Sequence, residues 1–209
     1  MSYQLKILSF DPGLSTSGWN LSYYNTDEKI MHVEECGVLY PNEKVNKNKI
    51  NLIKYGSRIM TLDQLRNDLR NLVNRFSPDF VVSEDAFYNP SRPTAYCALV
   101  QWLTTVSMVL FDEYNCTLFK LAPKIAKQVI SGFGGAEKLG VQQAIANKKD
   151  IVFNQTIDVK ELTEHTCDSI GIGYTFIQEI LPSILDIWRN LNVEETQKIY
   201  RRKYQNDFS

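Results

Sequence analysis

Apolar residues crowd 4-QLKILSFD-11 into a short run that ends at Asp-Pro-Gly, the pattern of a buried strand entering a turn. The stretches 17-SGWNLSYYN-25 and 31-MHVEECGVLY-40 alternate well enough for two further strands, joined by a polar turn at Thr26-Asp27-Glu28. Ile59, Leu62, Leu65, Leu69, Leu72 and Val73 then recur at three and four, which predicts an amphipathic helix over 57–76 stopped by Ser77-Pro78. A fourth strand is expected at 79-DFVVSED-85, and a long apolar helix opened by proline at 93–113. The run 116-CTLFKLAP-123 predicts a fifth strand. Helical segments follow near 124–130 and 137–148, separated by 132-GFGG-135, with a last helix after Thr163 and a charged tail over about 182–209. The polar segment 42-NEKVNKNK-49 predicts an exposed loop or insertion, and no internal repeat is present.

Composition narrows this picture without redirecting it. The 209 residues, 44% hydrophobic and 22% charged, suit one sizeable core with room for an appended segment. No run approaches the ~18 apolar residues of a membrane span, and the N-terminus lacks the basic start and apolar block of a signal peptide, so a cytoplasmic protein is expected. Cys36, Cys97, Cys116 and Cys167 are scattered, which argues against a zinc knuckle or disulfide framework and for reduced, mostly buried thiols. A formal net charge of −1 makes no global case for a polyanion. Local basic clusters permit one: Lys44, Lys47, Lys49, Lys54 and Arg58, and later Lys120, Lys124, Lys127, Lys138, Lys148 and Lys149.

Candidate chemistry collects at three strand or helix ends. Three antiparallel strands followed by helix, strand, helix, strand and helices form a mixed α/β order that fits a five-stranded RNase H-like sheet. In such a sheet the first and fourth strands are neighbours, so Asp11 and Glu84 end at one edge. The stretch 164-EHTCDSIGIGYTF-176 places His165 and Asp168 three apart, hence on one helix face. Gly171 and Gly173 allow that helix a close approach to the sheet. Read structurally, Thr163 and Asp168 merely cap and begin a helix, and His165 is a satisfied surface or core histidine. Read chemically, crowded carboxylates call for a hard cation, and oxygen-rich ligation favours Mg²⁺ or Mn²⁺ over zinc.

The blocks FDPGLSTSGW, VVSEDAFYNP, KQVISGFGGAEKLGVQQAI and HTCDSIGIGY occur in the order and approximate spacing of the RuvC-type Holliday junction resolvases, which the chain resembles over roughly residues 5–180. The resemblance implies that Asp11, Glu84, His165 and Asp168 are the metal-binding and catalytic positions, with two Mg²⁺ ions per site and Mn²⁺ as a substitute. It implies that Phe87 meets unstacked bases at the junction, although a core phenylalanine is the alternative. It further implies that Lys127 and Lys138 face the DNA backbone and the scissile region, Lys138 with a catalytic role; Lys124 belongs to the same basic cluster as a DNA-binding candidate. The expected protein is a homodimeric endonuclease resolving four-way DNA junctions, with a nuclease domain over 1–180, a charged helical extension over 181–209, and no membrane partner. Besides a catalytically silent junction-binding scaffold, two other functions remain open at this point. One is a related nuclease acting on other branched or flapped DNA or on RNA; the other is an actin-like ATPase or sugar kinase, because Asp11, Gly13 and Ser15 also suit a D-x-G-x-S/T phosphate loop. The 42–49 segment and the tail, including 198-KIYRRKYQ-205, extend beyond a minimal resolvase core.

Overall fold

A computed structural model describes residues 3–45, 49–131 and 138–190, the side chains at 44, 49, 51, 127, 131 and 138–141 excepted. Strands β1 (Gln4–Asp11), β2 (Ser17–Asn25) and β3 (Ile30–Leu39) form an antiparallel meander. Two short helices, α1 (Pro41–Val45) and α2 (Lys49–Tyr55), lead into α3 (Ser57–Phe76). Then come β4 (Phe80–Glu84), α4 (Pro93–Tyr114), β5 (Leu118–Leu121), α5 (Pro123–Ser131), α6 (Lys138–Asn147) and β6 (Ile151–Phe153). A 3-10 turn at Val159–Glu161 precedes α7 (Glu164–Glu179) and α8 (Leu181–Asn190).

The sheet has six strands in the order β5-β4-β1-β2-β3-β6, not the expected five. β6 escapes a periodicity reading because three residues are too few to alternate; it is recognised only through its parallel pairing with β3. β4 pairs parallel with both β1 and β5. The two crossovers this demands are supplied by α3 and α4, long enough to return the chain along the sheet.

Side chains alternate cleanly between two layers, as the period of two in a strand requires. Leu8, Phe10, Leu21, Val81 and Leu118 face α3 and α4, packing on Leu65, Leu69, Trp102, Val106 and Leu110. Leu5, Ile7, Met31, Val33, Phe80 and Val82 face α5 to α8, meeting Ile130, Ile145, Ile170, Phe176 and Leu181. Helix ends follow local chemistry. α3 stops at Ser77, which takes a left-handed φ of 46° before Pro78, and α4 starts on Pro93 and ends at left-handed Asn115.

Four expectations change in detail. The segment expected as a loop over 42–49 is helical over 41–45, where Val45 is buried. Ile59, expected in the buried stripe of α3, is exposed; the buried hydrophobic residues of α3 begin at Leu65. Of the four free cysteines only Cys167 is buried, and Cys97 is exposed on α4. α4 itself does reach the length and mean hydropathy of a membrane span, 1.5 over 18 residues. Its apolarity partly serves the sheet through Trp102, Leu103, Val106, Val109 and Leu110. α8, at the start of the charged extension, docks Leu181 and Leu185 into the core and stacks Trp188 on Phe80, ring centres 5.7 Å apart. Residues 191–209 lie outside the described residues.

Phe176 is fully buried, with its ring centre 5.2 Å from those of Phe80 and Phe119. Phe176→Ala is expected to lower stability by about 3–5 kcal/mol in urea unfolding through lost burial and a residual cavity. Ile187→Ala, on the exposed side of α8, is expected to change it by less than about 0.5 kcal/mol.

Candidate active site

The site is built where the carboxyl ends of β1 and β4 meet the first turn of α7. Phe10 is paired with Ser83 in the parallel β1–β4 ladder, so Asp11 and Glu84 are the next residues on adjacent strands. By alternation from Ile7 and Val82, which face α5 to α8, both carboxylates belong to the α7 side of the sheet. Asp11 is held in place from the backbone, whose carbonyl accepts a hydrogen bond from Ser17 Oγ at 3.0 Å.

α7 begins as its sequence dictates. Thr163 is the N-cap and its hydroxyl accepts from the Thr166 backbone N–H at 3.2 Å, with Glu164 in the first turn. That cap sets His165 one residue into the helix. The His165 Nδ1 lies 2.6 Å from Asp11 Oδ2, the side chains being 40% and 15% exposed. Toward an ionised carboxylate, which can only accept, Nδ1 is the donor of this contact. Asp168 is one turn further along the same helix face and half-buried. Beside it the Cys167 thiol is pushed up to about 11, first by burial and then by the negative charge of Asp168 and by Cys36. Cys167 is therefore a neutral thiol at physiological pH and not a nucleophile.

What brings α7 so close is a residue the sequence reading passed over. Gly18 is paired with Asp11 across the β1–β2 ladder, and a Cβ placed on it falls 2.0 Å from the His165 carbonyl oxygen. The backbone of His165 thus lies directly on Gly18. Deeper along the helix, a Cβ on Gly173 would fall 2.8 Å from Ser9 Oγ. Ser9 Oγ donates to the Ser169 carbonyl at 2.7 Å, and Asn20 Nδ2 donates to Ser9 Oγ and Ser22 Oγ at 3.0 and 2.9 Å. These buried polar groups satisfy one another and pin α7 to the sheet. Alternating polar residues in β1 and β2, Ser9, Asn20 and Ser22, were the available signal, since a purely apolar strand face needs no such hydroxyls.

The remaining candidates fall around this edge. Lys124 is exposed in the first turn of α5, three residues after Leu121, which is paired with Glu84. Phe87, three residues past Glu84, is 60% exposed, so it is not the core phenylalanine that sequence alone also allowed. Lys127 and Lys138 stand in α5 and α6, but their side chains lie outside the described residues, as do Gly132–Gly135. Among the described residues, no three His, Cys, Asp or Glu side chains are grouped to hold a metal ion. The donor set itself, three carboxylates and one imidazole at a single sheet edge, has the chemistry of a hard divalent site. A groove of about 520 Å³ lies elsewhere, between Tyr55 and Ile59 on one wall and Met108 and Asp112 of α4 on the other.

A mixed sheet of this order, with carboxylates ending β1 and β4 under a closing helix, defines an RNase H-like fold. No protein-family model matches the chain. The crossover junction endodeoxyribonuclease RuvC of Prochlorococcus marinus is 27% identical over 175 residues, 84% of this chain and 98% of that protein. The structure of Thermus thermophilus RuvC superposes with a TM-score of 0.58 at 16% identity, over 82% of this chain and 92% of that one. The yeast mitochondrial Holliday junction resolvase superposes with a TM-score of 0.62 at 16% identity, over 88% and 81%. By sequence and fold, the chain is similar to the RuvC-type resolvases.

Gly18→Ala is expected to force the first turn of α7 away from β2, since the clash is with backbone that no rotamer change relieves. A loss of about 1–3 kcal/mol in urea unfolding is expected, the usual range for overpacking. Separation of His165 from Asp11 should accompany it, seen in NMR as faster solvent exchange of the His165 ring proton that bridges to Asp11.

Proposed function

We propose that the chain is a divalent-metal-dependent, structure-selective DNA endonuclease that resolves four-way junctions as a homodimer. The observation that carries this reading is the Asp11–His165 contact at 2.6 Å, on the strand end where Glu84 is the neighbouring residue and Asp168 follows one helical turn later. A T. thermophilus RuvC structure of the same fold, TM-score 0.58, is described as a complex with Holliday junction substrate. Asp11, Glu84, His165 and Asp168 would hold two ions, Mg²⁺ or in its place Mn²⁺. Such ions, when bound, supply an activated water and stabilise the leaving 3′-oxygen of the phosphodiester.

The chain's own residues do the rest. With Nδ1 of His165 donating to Asp11, Nε2 is the ring atom left to exchange a proton or donate a lone pair. The Ser9–Ser169 and Asn20 contacts hold α7 rigidly, which keeps His165 and Asp168 in register with the strand ends. The exposed Phe87 ring offers a π-face to an unstacked base, and Lys124, Lys127 and Lys138 contact phosphate. Because the net charge is −1, this local group must supply the counterion release that drives DNA binding. The nuclease unit runs through α8, whose Leu181 and Leu185 lie in the core, with 191–209 as its extension.

Two sites are needed for paired incisions, and a two-fold dimer presents them to a nearly two-fold junction. The outer side of α4 supports self-association: Val100, Met108 and Phe111 are exposed on it, Phe111 by 72%, beside the groove of Tyr55 and Ile59. A projecting ring next to an apolar groove is the self-complementary arrangement an isologous contact uses.

The decisive test is cleavage of a mobile four-way junction beside flap, duplex and RNA substrates, with and without Mg²⁺. Asp11→Asn is expected to reduce junction cleavage by at least ~10²-fold while junction affinity in Ca²⁺ stays within about threefold. Near-parental cleavage by that variant, or preference for flap or RNA, overturns the assignment. Separately, Phe111→Glu is expected to convert the protein from dimer to monomer in size-exclusion chromatography with light scattering, with urea unfolding of the monomer little changed.

A further inference from the structure

Beyond Glu84 the chain does not turn back into the protein at once. Residues 85–92 form a connection to α4 whose side chains are mostly in water, and two consecutive aromatics stand in it: Phe87, 60% exposed, and Tyr88, 56% exposed. Single exposed aromatics are ordinary, whereas an adjacent pair on a loop beside a candidate site is not the economical way to fold. Tyr88 is also supported from beneath. The ring of Tyr96, in the first turn of α4 and half-buried, meets it edge to face at 5.3 Å and 88°.

The backbone carrying Tyr88 is braced on both sides. Asp85 N–H donates to the Leu121 carbonyl at 2.8 Å, and Asp85 Oδ1 accepts from Ala86 N–H at 2.8 Å. After Tyr88, Asn89 accepts from the Ser91 N–H through Oδ1 and from the Arg92 N–H through its carbonyl, both at 2.9 Å. Pro90 and Pro93 restrict the same turn. A ring ordered before any ligand arrives pays little entropy on binding. Four residues span at most about 14 Å, so Tyr88 lies within the reach of a few nucleotides from Glu84.

We propose that Tyr88, buttressed by Tyr96, is a second base-stacking platform beside Phe87, taking an unstacked nucleobase of the DNA strand that passes the Glu84 end of β4. This rests on the nuclease reading above. Tyr88 touches the base; Tyr96 is a positioning residue that acts through Tyr88. The exposed guanidinium of Arg92 is the nearest cation on the same turn for the adjoining phosphate.

The test uses the full chain in Ca²⁺, with a four-way junction, a duplex of equal length and a single-stranded oligothymidylate as probes. Tyr88→Ala and Tyr88→Leu are expected to weaken junction and single-strand binding by roughly 5- to 100-fold, the loss of one stacked base, with duplex affinity unchanged. Tyr88→Phe keeps the ring and is expected to bind as the parent does. Tyr96→Ala should give a smaller loss, restored by Tyr96→Phe, and the thermal midpoint of every Tyr88 variant should match the parent. Parental affinity for junction and single strand in Tyr88→Ala, or equal losses on all three probes, overturns the platform. If the parent itself shows no preference for the junction over duplex, the resolvase reading falls, while the single-strand comparison still decides Tyr88.

Discussion

The structure turns on one close approach: the first turn of α7 lies on Gly18 of β2 with no room for a Cβ between them. Everything at the site depends on that distance. His165 reaches Asp11 because its own backbone rests on the residue paired with Asp11, so a short contact between helix and strand becomes a short contact between imidazole and carboxylate. Further down the helix, Gly173 and the Ser9–Ser169 hydrogen bond hold the same spacing. Polar groups buried under a helix normally cost stability; here Ser9, Asn20, Ser22 and Ser169 satisfy one another, and the cost becomes a fixed register.

That register matters because the chemistry at the edge is electrostatic. Asp11 and Glu84 end adjacent strands on the side of the sheet where α7 begins, and there the His165 ring and the N-terminus of α7 offer favourable partners for negative charge. The two layers of core on either side of the sheet, Phe10 and Trp102 on one and Phe80 and Phe176 on the other, prevent the strand ends from relaxing apart.

The two faces of the molecule divide the labour. α5 to α8 close over the carboxylate side, while α3 and α4 cover the opposite side and leave Met108 and Phe111 in water. The loop that joins β4 to α4 sits between these duties, carrying Phe87 and Tyr88 outward from the Glu84 strand end.

Strand and helix identity was written in local periodicity: β1 to β5, α3, α4 and α7 are all readable from spacing and from Pro, Gly and Thr at their ends. The neighbourhood of Asp11 and Glu84 came instead from the RNase H-like arrangement that the order of elements fits, in which the first and fourth strands are adjacent. His165 and Asp168 were readable as one helix face. β6 was not, since a three-residue strand has no period and exists only by pairing with β3. Nor was the role of Gly18, because a glycine in a strand looks the same whether it relieves a turn or admits another backbone. The exposure of Phe87 and the Tyr96 support under Tyr88 likewise depended on where the loop after β4 runs. Sequence determines which groups are available and in what local order; whether an imidazole stands 2.6 Å from a carboxylate 154 residues away is decided by packing, which acts between residues that no local pattern connects.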